Sequence, residues 1–308
     1  MPCYNPLQGW YSRRVNPTGK RSIVFNREQG LVDRPVSLPC SKCIGCRLEH
    51  SRQWAIRCMH EASLYEDNCF VTLTYDDEFL PKGGTLVKEH VTQFMKRLRE
   101  RFSSKTIRFY GCGEYGDEKF RPHYHLLLFN HIFEDEKLHS YSDTDFPLYT
   151  SDTCERIWKK GFCPIGRVSF ESAAYVARYV TKKLNPGITE ESKQAFEERY
   201  TTIDTDTGEI FHVLPEFARM SRNPGIGKPW LEKYSREVYS YDSVIVNGKE
   251  VKPPKYYDDQ IGEEQIKDIK FRRVQKALEH VVDSRLDRLR VREKVKLAQV
   301  SMLKRSKE

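Results

Sequence analysis

The sequence predicts an α+β fold built on a mostly antiparallel central sheet flanked by helices. Three observations carry that expectation. A β-branched, aromatic run over residues 69–75 reads as a strand, and an amphipathic pattern over 86–102 reads as a helix. Two strand-like runs, 106–115 and 123–130, lie close enough in sequence to pair as a hairpin. A further helical pattern then follows, and the order strand, helix, two strands, helix is that of an α+β domain.

The elements follow from residue spacing. Residues 1–50 are cysteine-rich, punctuated by Pro and Gly, and read as irregular. From about 51 to 66, Trp54, Ile56, Met59, Ala62 and Leu64 recur at helical steps. The strand after it ends at Asp76-Asp77 and a Pro81-Lys82-Gly83-Gly84 turn. Val91, Phe94, Leu98 and Phe102 form one face of the next helix, with basic residues opposite. Gly116 to Pro122 joins the two hairpin strands, and residues 131–165 are mixed. The helix over 172–184 is stopped by Asn185-Pro186-Gly187. Asp204-Thr205-Asp206-Thr207-Gly208 turns between two short strands, and 221–229 reads as a loop. Val274, Leu278, Val281, Val282, Leu286, Leu289, Leu297 and Val300 predict one long helix over 263–307. Four segments result: a Cys-rich N-terminal segment with the first helix (1–66), a core (67–200), a hairpin and basic-loop extension (201–258), and a charged C-terminal helix (259–308).

Composition narrows the function classes. Hydrophobic residues make up 38% and charged residues 31%, with a net charge of +8 and a pI near 8.9. That balance is compatible with a polyanionic partner. Residues 255–308 hold 15 Lys/Arg against 10 Asp/Glu, so much of the excess sits in the tail. A solvated helix face, a backbone-gripping arm and a partner helix all fit it. No apolar run nears the roughly 20 residues that cross a bilayer, and the N-terminus lacks a secretory apolar core. The expectation is a cytoplasmic protein with no membrane partner, whose nine cysteines are reduced.

His123-Tyr124-His125 opens the second hairpin strand, so both imidazoles point to one face. One His-x-His is expected by chance in roughly a quarter of such chains, so the pair needs context. Glu114 on the preceding strand supplies it, since a hairpin brings it toward the histidines. Two His and one carboxylate with open positions suit Mg²⁺ or Mn²⁺ bound together with a phosphate. Cys112 shares the face of Glu114 and reads as packing.

On the 172–184 helix, Tyr175, Tyr179 and Lys182 fall on one narrow stripe, with Val176 and Val180 on a separate apolar one. A phenol with a pKa near 10 is a poor nucleophile at neutral pH. The Lys182 ammonium one turn away can stabilise the phenolate, with Lys183 beside it. Core packing is the plainer reading of the tyrosine pair.

Cys40, Cys43 and Cys46 form C-x₂-C-x₂-C, expected by composition in under roughly one chain in a hundred. Thiolates so spaced can hold structural Zn²⁺, with Cys3, His50, Cys58 or His60 as a fourth ligand. An iron–sulfur cluster and a set of packed, reduced thiols are the alternatives. Arg219, Arg222 and Lys228 sit in or beside a Gly-containing basic loop that suits a DNA phosphate or an ordinary surface turn. Arg121 and Arg178 flank the histidines and tyrosines and join the candidate DNA-binding set.

The segment Arg121-Pro122-His123-Tyr124-His125-Leu126-Leu127-Leu128-Phe129, with Glu114 upstream and Tyr175-Val176-Ala177-Arg178-Tyr179-Val180-Thr181-Lys182-Lys183 downstream, resembles the HUH endonuclease superfamily. It is most similar to the two-tyrosine replication initiators of small single-stranded DNA phages of the gokushovirus-type microviruses. Phe70 to Tyr75 resembles that family's first motif, and the 40–46 cysteine segment also looks like the gokushovirus proteins. The resemblance implies a ferredoxin-like sheet and a divalent metal on His123, His125 and Glu114. It implies Tyr175 and Tyr179 as nucleophiles in rolling-circle replication, nicking a viral origin through a 5′-phosphotyrosine and rejoining the displaced strand. The implied partners are single-stranded or supercoiled origin DNA and the host helicase and polymerase, in a bacterial cytoplasm. A plasmid relaxase, a transposase of the same superfamily and a non-catalytic nucleic-acid-binding protein are the competing expectations.

Overall fold

The computed structural model describes residues 3–142, 145–179, 190–205, 207–279 and 281–302. It divides into two compact units, one of residues 1–50 with 262–305 and the other chiefly residues 51–261.

The first unit carries a small antiparallel sheet of β1 (Leu7–Ser12), β2 (Ile23–Val24) and β3 (Gly30–Leu38), in the order β2-β1-β3. These residues read as irregular in the sequence. The reason is exposure: Leu7, Tyr11 and Val32 face solvent, so neither side of this sheet generates the alternation that marks a half-buried strand. The helix α1 (Ile44–Ala62) begins in this unit and runs on into the second, starting earlier than its apolar spacing suggested.

The second unit is organised around a seven-stranded sheet. In chain order its strands are β4 (Asn68–Leu73), β5 (Arg108–Tyr115), β6 (Pro122–Phe129), β7 (Lys137–Tyr141), β8 (Pro147–Thr150), β9 (Ile165–Arg167) and, after the β10–β11 hairpin (Thr201–Ile203 with Ile210–His212), β12 (Phe217–Met220). The spatial order is β12-β5-β6-β4-β9-β8-β7, and every recorded pairing is antiparallel. The helices of this unit are α2 (Lys88–Arg101), α3 (Asp152–Trp158), α4 (Phe170–Tyr179), α5 (Glu190–Tyr200), α6 (Lys228–Tyr241) and α7 (Lys255–Asp258), with a β13–β14 hairpin (Val244–Val246, Lys249–Val251) before α7. The α+β architecture and antiparallel sheet expected from the sequence are what the chain adopts.

Alternation sorts the sheet into two faces. Val71 and Leu73 of β4 and Tyr124, Leu126 and Leu128 of β6 meet Val91, Phe94 and Leu98 of α2 and Ile157 and Trp158 of α3. On the other face, Tyr110 and Cys112 of β5 and Leu127 and Phe129 of β6 meet Ala55, Cys58 and Ala62 of α1 and Ala173, Val176 and Ala177 of α4. Both faces are fully covered, which is why β5 and β6 are buried along nearly their whole length.

Two elements depart from the sequence reading. The single long C-terminal helix is two, α8 (Glu263–Leu278) and α9 (Leu286–Ser301), with a 3-10 turn at Val281–Ser284 between them. Asp283 and Ser284 offer side chains that compete for backbone hydrogen bonds, and Arg285 adopts extended backbone at ψ 146°, which ends one helix before the next begins. The predicted 172–184 helix starts at Phe170, and its last residues lie outside the described part of the chain.

Candidate active site and cysteine cluster

The register of the β5–β6 hairpin decides the geometry of the histidines. Glu114 pairs directly with His123, and Cys112 with His125. Glu114 and both imidazoles therefore share one face, the one covered by α1 and α4. Glu114 Oε1 lies 2.9 Å from Nε2 of His123 and 2.9 Å from Nε2 of His125. The carboxylate is fully buried, and the two imidazole side chains are 12% and 6% exposed.

Neighbouring groups aim the rings. His123 Nδ1 is 3.2 Å from the Arg121 carbonyl, which can only accept, so Nδ1 is the donor in that contact and Nε2 is turned toward Glu114. His125 Nδ1 is 2.9 Å from Thr72 Oγ1 on β4, the residue paired with it across the ladder. Phe70, two residues back on the same face, stacks on His125 at 5.5 Å and 13°. Thr72 and Phe70 were not singled out from the sequence. The signal was available in the alternation of β4, which sets them on the same side as the histidines.

Two imidazole nitrogens and a carboxylate oxygen thus converge on one point. The second oxygen, Glu114 Oε2, is buried with no hydrogen-bond partner, an expensive state for a carboxylate. The ligand atoms of Glu114, His123 and His125 all fall within 4.8 Å of one another. The donor set fits a divalent metal: it supplies three ligands on one side, and the buried orphan oxygen gains a counter-charge.

Tyr175 comes to this site from α4. Val176 and Ala177 bury against the sheet, Ser51 Oγ of α1 donates to the Ala174 carbonyl at 2.8 Å, and the helix is held across β5 and β6. The Tyr175 ring meets His125 edge to face, with centroids 5.2 Å apart and planes at 79°. The imidazoles and this phenol ring therefore occupy the same side of the sheet. Tyr179 closes α4, and its side chain is outside the described residues, as are Lys182 and Lys183.

The comparisons with known proteins fall on this region. A family model described as "Replication-associated protein ORF2/G2P" matches residues 68–184, from β4 through the tyrosine helix. Replication-associated protein VP4 of Bdellovibrio phage phiMH2K is 34% identical over 268 residues, covering 84% of this chain and 76% of that protein. Replication-associated protein ORF2 of Spiroplasma virus 4 is 37% identical over 234 residues, 72% of this chain and 67% of that one. The chain belongs to this family of replication-associated proteins. Replication-associated protein ORF4 of Chlamydia phage 1 is a more distant relative, 28% identical over 229 residues and 53% of its own length. No solved structure matches.

In this replication-associated protein the basic residues are spread over several elements. Arg121, at the mouth of the hairpin, donates to Asp77 Oδ1 at 2.6 Å and to the Tyr75 carbonyl at 2.8 Å. Arg178 lies exposed on α4. Arg219 on β12 donates to Thr92 Oγ1 and to the Lys88 carbonyl of α2. Arg222 is exposed, and Lys228 opens α6 with an ion pair to Glu232 at 3.8 Å.

The loop between Arg222 and Lys228 is held from beneath by charges that the sequence did not reveal. Glu61 of α1 is fully buried, pairs with Arg108 Nε, and accepts from the Gly227 N–H at 2.7 Å. Arg108 Nη2 donates to the Pro224 carbonyl at 2.7 Å, and Arg57 Nε donates to that of Ile226 at 3.0 Å. The Arg57 guanidinium is itself sandwiched between Trp54 and Tyr256, 3.9 and 3.7 Å from their centroids. Gly227 takes the left-handed conformation (φ 77°), and a Cβ there would stand 2.6 Å from the Tyr257 hydroxyl.

Of the candidate fourth cysteine-cluster ligands, the structure brings Cys3 to Cys40, Cys43 and Cys46. Cys58 is buried instead in the core beneath α1, where burial pushes its thiol up. His60 stacks on Trp230 at 3.5 Å, with Nδ1 2.8 Å from the Tyr257 hydroxyl, and burial lowers it to about 3. Burial raises the Cys43 thiol, but the Cys46 and Tyr4 N–H groups and the neighbouring thiols outweigh that and lower it to about 7.

Proposed function

We propose that this chain initiates rolling-circle replication by cutting one DNA strand with Tyr175. The observation that carries the reading is the approach of the Tyr175 ring to His125, on the sheet face where Glu114, His123 and His125 converge. The names of the phage and viral relatives, all replication-associated proteins, favour this over plasmid transfer or transposition.

In this reading Glu114, His123 and His125 hold Mg²⁺ or Mn²⁺, which would polarise the scissile phosphate and offset the charge on its oxygens. Thr72 and the Arg121 carbonyl keep the imidazoles turned toward that position. The Tyr175 oxygen attacks phosphorus, the bond to the 3′ oxygen breaks, and the phenol proton ends on that 3′ oxygen by way of solvent. The 5′-phosphotyrosine ester conserves the energy of the broken linkage, so a later attack by a 3′ hydroxyl rejoins the strand and regenerates the phenol. Tyr179 is assigned the second cut, which successive rounds on a circle require, and Lys182 and Lys183 the stabilisation of phenolate. Arg121, Arg178, Arg219, Arg222 and Lys228 are assigned to the DNA backbone. The substrate is single-stranded or supercoiled viral origin DNA in a bacterial cytoplasm, with host helicase and polymerase extending the nicked strand.

The test is incubation with a 3′-end-labelled single-stranded origin oligonucleotide and Mn²⁺, resolved on a denaturing protein gel. A label that migrates with the protein supports the reading. A cut product with no adduct, or an adduct that persists after Tyr175→Phe/Tyr179→Phe, rejects it.

A further inference from the structure

We propose that Cys3, Cys40, Cys43 and Cys46 form a closed four-thiolate zinc site, separate from the histidine centre and independent of the nicking chemistry. The four sulfurs all lie within 4.8 Å of one another, and those of Cys3 and Cys43 are 4.0 Å apart. A tetrahedron with Zn–S arms of about 2.3 Å has edges of about 3.8 Å, so the cluster needs only a small contraction. A disulfide would need sulfurs about 2.05 Å apart, and all nine cysteines are free.

The backbone around the cluster is arranged to favour thiolates. The Cys40 N–H donates to Cys3 Sγ at 3.2 Å, the Cys43 N–H to Cys40 Sγ at 3.3 Å, and the Tyr4 N–H to Cys43 Sγ at 3.3 Å. Sulfur is a weak acceptor when protonated, and three backbone donors turned onto three sulfurs suit negatively charged ligands. Such donors also orient the ligands and tune the ion. Zinc is the divalent ion whose preferences fit four soft thiolates in a tetrahedron. Each thiol releases its proton to solvent on binding, and no position is left for substrate, so the role is structural.

What the ion would organise is visible in the packing. Cys43 is buried with Tyr4 and with Leu289 of α9, and Cys3, Cys40, Ile44 and Cys46 surround them. Asn5 Nδ2 reaches Glu293 on the same helix at 3.2 Å. These residues form a small core with few apolar side chains, of the kind that metals commonly supplement. Zinc there would fasten the residues near Cys3 to the first turn of α1 and to α9, and so make one unit from the two ends of the chain.

The experiment uses the full chain, purified reduced and treated with EDTA to remove weakly held ions. Zinc is then measured by metal analysis, and Co²⁺ is titrated into the metal-free protein. The expected result is one zinc per chain that outlasts EDTA, and a Co²⁺ spectrum of tetrahedral thiolate coordination. Cys3→Ser and Cys46→Ser should weaken zinc at least as much as the ~10–100-fold typical of losing a mere supporting contact. Cys163→Ser and His123→Ala/His125→Ala should retain it. Absence of zinc with no cobalt–thiolate absorption, a brown protein containing iron and sulfide, or full affinity in Cys3→Ser would each overturn the proposal. The wild-type cobalt titration requires no variant to fold.

Discussion

Tyr175 and His125 meet edge to face with ring centroids 5.2 Å apart, one side chain from a helix and the other from the strand beneath it. Removing only the hydroxyl tests what that proximity is for. Tyr175→Phe keeps the ring and its packing, so unfolding free energy should change by less than about 1.5 kcal/mol. Adduct formation in a single-turnover assay should fall by at least about a thousandfold, as for other lost nucleophiles. A loss of activity that tracks a loss of thermal stability would mean that the tyrosine only packs.

Glu114 is the ligand whose replacement separates metal binding from folding. Glu114→Gln keeps the shape and removes a buried charge, so metal-free stability should hold or rise. The Mn²⁺ concentration for half-maximal nicking should rise by about tenfold or more. In calorimetry, Mn²⁺ at a hundred times its dissociation constant should stabilise the wild-type chain by about 2.7 kcal/mol. That gain should be absent from His123→Ala/His125→Ala.

The buried Glu61–Arg108 pair predicts a large and non-additive effect. Both side chains are almost inaccessible, at 0% and 7% exposure, and both also hold the 223–227 loop. Arg108→Met leaves a buried carboxylate unpaired and should cost about 3–5 kcal/mol in urea unfolding. Adding Glu61→Gln should recover part of that loss. Independent additive costs would show that the two groups act separately.

His60 gives a pH dependence with a definite sign. Burial holds it at about 3 in the folded chain, against an ordinary value near 6.5 when unfolded. The folded state keeps it neutral where the unfolded state is protonated, so its contribution is present above pH ~6.5 and lost as the pH falls toward 3. The slope approaches about 1.4 kcal/mol per pH unit for this group. His90 and His131, each lowered to about 4 by burial, act in the same direction. Denaturation midpoints measured from pH 7 to 4 should fall, and His60→Phe should flatten the slope even though it loses the bond to Tyr257.

The sequence was most informative where one face of an element is buried and the other is not. His123 and His125 share a face by alternation alone, and Glu114 joins them because the hairpin is in register. Tyr175 could be assigned to a helix, but the side of the sheet it would meet depends on long-range packing by Val176, Ala177 and Ser51, which periodicity does not encode. Glu61 resembles an ordinary helix charge until Arg108, 47 residues away, is placed beside it. The three N-terminal strands gave no pattern because their apolar residues are exposed. The interruption at Val281–Ser284 has no Gly or Pro to announce it.

Glu114 faces His123 in the ladder and Tyr115 faces Pro122, so only residues 116–120 carry neither a ladder pair nor the Arg121 carbonyl that aims His123. That connector can lengthen or shorten without displacing any ligand. The strand beyond it has no such freedom. One residue inserted between His123 and His125 would turn the two imidazoles to opposite sides and part the centre into halves. Natural variation in this lineage should therefore accumulate in the connector and spare the strand's frame.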